Sequence, residues 1–275
     1  MAITEVQDFL EETRSLHGLI AGLDDAALLR PTLFKGWPIE RIIAHLHFWN
    51  RAALLSVSDE AGFVAFMDDV RSRIAAGGMA TLEAEWLAGL GGQALVAAWL
   101  DFAEELAQAV APRAASDRVK WVGPDMSVRS AITARLMETW AHGQAAFDAL
   151  GVARINRDSI RGIAVLGVNT YGWTYAVRGL PAPQPKPLVE LTAPSGAIWR
   201  FGEDQADERI EGLAEEFCQV VTQTRNIADT KLCVTGVNAA DWMARAQCFA
   251  GPPETPPPPG TRACVRGRNQ RNSSP

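Results

Sequence analysis

Ser127 to Gly151 reads SVRSAITARLMETWAHGQAAFDALG. Ser127 is a natural N-cap and Gly151 a natural stop, so the run predicts one long helix. Within it Ile132, Leu136, Trp140, Phe147 and Leu150 form a bulky apolar face. Glu138 and His142, at i and i+4, project together on the other side. Their neighbours there, Ala131, Ala134, Ala145 and Ala149, are small, and only Arg135 adds charge. A surface helix presents a far more polar back, so this one is expected to be covered on both sides.

Upstream, Thr4 with Gln7 reads as a capping box, and Val6, Phe9, Leu10, Leu16 and Ile20 keep helical spacing as far as Gly22. After Gly36-Trp37, Pro38 opens a second helix, which Ile39, Ile42, Ile43, Leu46, Trp49, Ala53 and Leu54 carry to about Val57. On a wheel drawn from Ile42, His45 lies about 60° away at the edge of the apolar stripe and His47 about 140° away. His45 is therefore expected to face the interior and His47 solvent. Further helical stretches follow at 61–75, 81–90 and 94–110, broken by Gly91-Gly92 and Pro112, with another at 159–177.

From Pro181 the pattern changes. Prolines at 181, 183, 185 and 187 read as an extended linker, followed by strands at 188–192, 197–201 and 208–212. A helix from Leu213 to about Ala228, a strand at 232–235 and a helix at 239–249 complete a small unit. The expected architecture is α+β, with a helical domain over 1–180 and a small α+β domain over 181–250. The Pro-rich, basic stretch 251–275 is expected to be a disordered tail.

Composition narrows the function. The chain has 275 residues and a net charge of −6, which argues against a nucleic-acid surface. No apolar run reaches the 18 or so residues of a membrane span, and the N-terminus carries no secretory signal, so a cytoplasmic protein is expected. Cys218, Cys233, Cys248 and Cys264 form no C-x-x-C pair, so neither a zinc ribbon nor a redox motif is present. The first three read as buried thiols and Cys264 as exposed. Of the four histidines, His17 reads as structural.

Glu-x-x-x-His on one helix and a histidine from another can present three ligands to a divalent metal while leaving positions open. Gly36-Trp37-Pro38-Ile39 leading into Ala44-His45-Leu46, together with Arg135 through Gln144, resembles the DinB-like metal-binding superfamily, in its branch of mycothiol-dependent maleylpyruvate isomerases. The resemblance implies an N-terminal four-helix bundle whose metal, usually zinc, is held by His45, Glu138 and His142. It places a substrate-binding arginine of the second domain at Arg225, whose guanidinium suits a carboxylate. It also shows a departure, since many relatives carry an aspartate where this chain has Ala145; Gln144 is the nearest substitute as a partner for His142.

What the resemblance implies is a metal-dependent enzyme, an isomerase or thiol transferase, acting on a small carboxylated or acyl substrate. A low-molecular-weight thiol such as mycothiol would be its co-reactant, and metal coordination makes a thiolate available at neutral pH. The alternatives are a metal-dependent hydrolase, a metal- or small-ligand-binding protein without turnover, and a purely structural bundle. Proteins of this superfamily are often homodimers.

Overall fold

A computed structural model describes residues 3–204 and 207–262. The chain opens with α1 (Thr4–Ile20), the single turn α2 (Asp25–Leu28) and α3 (Ile39–Ser58). Next come α4 (Glu60–Gly77), α5 (Met79–Leu87) and α6 (Gly92–Val110). A two-stranded antiparallel ribbon, β1 (Arg118–Val119) with β2 (Met126–Ser127), leads into α7 (Val128–Leu150). A 3-10 turn, α8 (Arg161–Asn169) and α9 (Tyr171–Ala176) finish the helical part.

The second part holds β3 (Leu188–Thr192), β4 (Ile198–Phe201), β5 (Arg209–Leu213), α10 (Ala214–Val221), β6 (Cys233–Thr235) and α11 (Val237–Met243). The sheet order is β4-β3-β5-β6; β3 and β5 run parallel, and both edge strands are antiparallel to their neighbours. The protein is thus an α+β fold with a helical N-terminal part and a small mixed sheet. Among the described residues no helix is long and apolar enough to cross a membrane.

Four long helices, α1, α3, α6 and α7, pack against one another as the bundle. Ser127 caps α7 by accepting from Ser130 N, and Gly151 ends it in the left-handed conformation, as the residue types predict. No residue from 131 to 150 is exposed, so α7 is covered on both sides. One face meets α1 and α3. Another meets α8, behind which α10 and the sheet stack, so Leu136, Trp140, Ile163, Val189, Phe217 and Trp242 share one continuous apolar core. Gly167 permits this stacking, because a Cβ there would stand 2.8 Å from Val221 Cγ2.

Several expectations need correction. Thr4 makes no cap, since α1 starts at Thr4 itself and Ile3 occupies the cap position. The helix expected to run to Ala228 ends at Val221; Gln223 takes a left-handed φ of 55° and turns the chain away. The last helix spans 237–243 instead of 239–249. Cys218 and Cys248 are buried, but Cys233 is exposed because β6 is an edge strand. Cys264 lies outside the described residues.

His47 is buried instead of solvent-facing, because the hairpin of α4 and α5 folds over that side of α3. Its ring packs against Trp86 and Phe102, and burial pulls its pKa down from 6.5 to about 4.

The stretch expected to be disordered from 251 is held as far as Arg262. Gln247 Nε2 donates to Pro252 O, Arg178 and Gln223 donate to Glu254 O, and Asn226 Nδ2 donates to Pro257 O. Proline-rich backbone has few donors of its own, so side chains reaching its carbonyls from outside can fix it without a core. Residues 263–275 lie outside the described residues.

Candidate metal centre

The loop before α3 sets up the site. Thr32 N donates to Trp37 O and Trp37 N to Phe34 O, with Lys35 and Gly36 both at positive φ. This tight turn brings Phe34 and Trp37 beside the second turn of α3, where His45 projects, and Pro38 then starts the helix. From the facing side α7 supplies Glu138 and His142.

The three side chains meet. One ligand atom from each of His45, Glu138 and His142 lies within 4.8 Å of the others. His142 Nε2 stands 3.2 Å from Glu138 Oε2, and the two imidazole centroids are 4.9 Å apart. Two ligands each bound about 2.1 Å from a tetrahedral zinc are about 3.4 Å apart. The donor set and its spacing therefore fit a divalent cation. The three open onto a cavity of about 700 Å³.

Aromatic rings frame these groups. The Trp37 ring stacks parallel to His142 with centroids 6.1 Å apart, Phe34 meets His142 edge-on at 4.9 Å, and Trp49 stands 6.2 Å from His45. They shed water and lower the local dielectric. Burial raises the Glu138 pKa, but the hydrogen bond from His142 and the electrostatic pull of the neighbouring His142, Arg135 and His45 side chains outweigh it, leaving the carboxylate at about 2. Burial foremost, then His142, Arg135 and Arg41, hold His45 well below 6.5 against the pull of Glu138. At neutral pH the centre thus offers an ionised carboxylate and a neutral His45.

One partner escaped the sequence. Glu83 on α5 places Oε1 2.6 Å from His45 Nδ1, which leaves Nε2 as the free ring nitrogen. Glu83 is buried, and burial pushes its pKa up to about 7 although Arg41 and His142 oppose this. The signal was readable, since Glu83 stands at i−3 and i−4 from Trp86 and Leu87, a charge within an apolar stripe.

His142 has no such partner: its Nδ1 is buried without a hydrogen bond. Gln144 does not substitute for the aspartate that relatives carry at Ala145. Its Nε2 donates to Asp148 and its Oε1 accepts from Arg154.

Arg225 does not join the site. It donates to Asp148 Oδ1 at 2.7 Å and to its neighbour Thr224 O, and it is not among the residues lining the cavity. His17 is half-buried on α1, away from the cluster.

A helical bundle carrying two imidazoles and one carboxylate beside a cavity defines the class of protein, and sequence comparison gives the family. Residues 9–147 match the model of the mycothiol maleylpyruvate isomerase N-terminal domain, and the chain belongs to that family. It is 39% identical over 259 residues to an uncharacterised protein of Mycobacterium tuberculosis, Rv0036c, covering 90% of this chain and 96% of the relative. The counterpart MT0041, from another strain of that species, matches equally.

Among solved structures, the mycothiol-dependent maleylpyruvate isomerase matches with a TM-score of 0.50 at 15% identity, and a point mutant of it with 0.51 at 16%. Each covers 79% of this chain and 87% of the other. At that identity the likeness establishes the fold.

Proposed function

We propose that the protein is a metal-dependent enzyme that uses a low-molecular-weight thiol, mycothiol or a close analogue, to isomerise or transfer a small carboxylated or acyl substrate. His45, Glu138 and His142 would hold the metal, and zinc suits two imidazoles and one carboxylate. The observation that carries this reading is the convergence of those three side chains on the wall of a cavity large enough for a small molecule and a thiol together. Membership of the isomerase family supports it.

When bound, a divalent cation in this set supplies the positive charge that favours a thiolate over a thiol or polarises a carbonyl. The chain's own residues prepare the place. Glu83 fixes the His45 ring, Glu138 stays ionised to receive a cation, and Phe34, Trp37 and Trp49 keep bulk water off the reacting groups.

Elemental analysis of protein purified without chelator or metal-affinity tag tests the first half. About one metal per chain in the wild type is the expected result, and absence of metal even after zinc reconstitution would overturn the reading. The second half is tested by screening the loaded protein with a small thiol and electrophilic acids.

The unpartnered Nδ1 of His142, at the site where Ala145 replaces an aspartate, favours a second reading, a metal- or small-ligand-binding protein without turnover. Stoichiometric metal with no activity across the screen would select it.

A further inference from the structure

The cavity that receives the three metal-site side chains is walled on one side by the strap from Ala250 to Arg262. Four cationic side chains line this cavity: Lys35, Arg71, Arg135 and Arg262. Three of them are committed. Lys35 Nζ lies 3.0 Å from Glu254 Oε1, and Arg71 pairs with Asp68 at 2.9 Å. Arg135 lies in the floor, donating from Nε to Asn50 Oδ1 and from NH2 to Leu46 O.

Arg262 differs from these. Its NH1 donates to Gln223 O at 2.7 Å, and its guanidinium lies over the Phe34 ring, 5.0 Å from the centroid. Among the described residues no carboxylate lies within ion-pair distance of it. The backbone bond and the ring hold the guanidinium plane in place, while its remaining N–H groups are uncommitted. Phe34 is also the ring that meets His142 edge-on, so one aromatic side chain separates Arg262 from the metal-site histidine.

We propose that Arg262 is an anion subsite of this cavity, taking the carboxylate of a ligand whose apolar body lies along the aromatic wall toward His142. The proposal deepens the functional reading above by assigning its substrate class, and it rests on that reading for the direction in which the ligand lies. A half-buried guanidinium with no carboxylate in ion-pair contact among the described residues has lost part of its hydration, so a ligand carboxylate gains a charge-assisted bidentate pair at small cost. Burial and the nearby Arg225 make the cation harder to keep charged, while Glu254 and Asp148 offset this from a distance, which is the environment a ligand anion improves. Arg225, by contrast, already has its carboxylate in Asp148.

The test is calorimetric titration of the full chain, in chelator, with 4-phenylbutyrate and with its neutral amide, 4-phenylbutyramide. The wild type is expected to bind the carboxylate at least tenfold more tightly than the amide. Arg262→Gln should abolish that ratio, Arg262→Lys should restore part of it, and Arg225→Gln should leave it intact. No preference for the carboxylate in the wild type, an unchanged ratio in Arg262→Gln, or a ratio lost only in Arg225→Gln would each overturn the subsite.

Because the titration is run without metal, the two readings fail separately. One metal per chain with an unchanged ratio in Arg262→Gln sinks the subsite alone. Absence of metal with the ratio intact in the wild type and lost in Arg262→Gln supports the subsite and sinks the metal reading alone.

Discussion

Two polar clusters ride on α7 less than two turns apart, and they are finished differently. Toward the C-terminal end of the helix, Gln144 and Asp148 belong to a closed network. Arg154 pairs with Glu12 and donates to Trp140 O and Gln144 Oε1, Gln144 donates to Asp148, and Asp148 accepts from Arg225. Its charges are buried and matched. Around Glu138 and His142 the accounts stay open: His142 Nδ1, Glu83 Oε2 and Thr139 Oγ1 are buried without partners. Of these atoms only His142 Nδ1 belongs to a residue that lines the cavity, and buried polar atoms almost always find partners, so under the proposed function this is the side on which an outside group would complete the set. The closed network ties α1 and α7 to the chain that follows α10; the Glu138 and His142 side chains face the cavity.

Substitutions can break or sharpen this contrast. The largest effect is expected from Glu138→Ala, which should reduce metal from about one per chain to none by elemental analysis while the protein stays folded by circular dichroism. Next comes Arg225→Ala, which leaves Asp148 buried beside a lost cation and should cost about 3 kcal/mol in urea denaturation. It should retain its metal, and loss of metal there would erase the division between the clusters. Glu83→Gln keeps a hydrogen-bond acceptor for His45 but removes the charge behind it, so metal affinity should fall on the order of tenfold in competition with a chelator dye.

A separate, pH-dependent effect concerns His47, buried on α3 two residues beyond His45. The unfolded chain takes up a proton there near pH 6.5 and the folded chain only near 4. The folded pKa is depressed in a base, so stability is lost as pH falls through that window, by about 3 kcal/mol at most. Thermal melts of His47→Leu across pH 4 to 7 should show a flatter decline than the wild type and unchanged metal content.

Much of this contrast was legible in the residues. Pro38, Ser127 and Gly151 punctuate the helices that carry the site, and the 3.6-residue spacing placed His45 inward and Glu138 with His142 on one face. A wheel, however, describes a helix only against its own stripe. It says nothing of a second layer, so the burial of His47 under α5 was hidden, and the charge of Glu83 within its apolar stripe signalled burial but not that His45 would be its partner.

The surroundings of Arg225 were hidden for a related reason. The helix that should have carried it ends at Gln223's left-handed turn, and the guanidinium then meets Asp148 from α7, a partner 77 residues away. Likewise, composition read the Pro-rich stretch as free chain, because propensity counts what a segment can bury and not which distant side chains will bond to its carbonyls.

The wall built by residues 250–262 also sets an order of assembly. During synthesis His142 leaves the ribosome more than a hundred residues before the strap does. At roughly 5–20 residues per second the converging histidines and glutamate wait several seconds without their final wall. A cation can reach them from open solvent during that interval, whereas after release it must pass a cavity already edged by Lys35, Glu254 and Arg262. If the proposed metal site is right, loading during translation and exchange in the finished protein would be two processes with different rates.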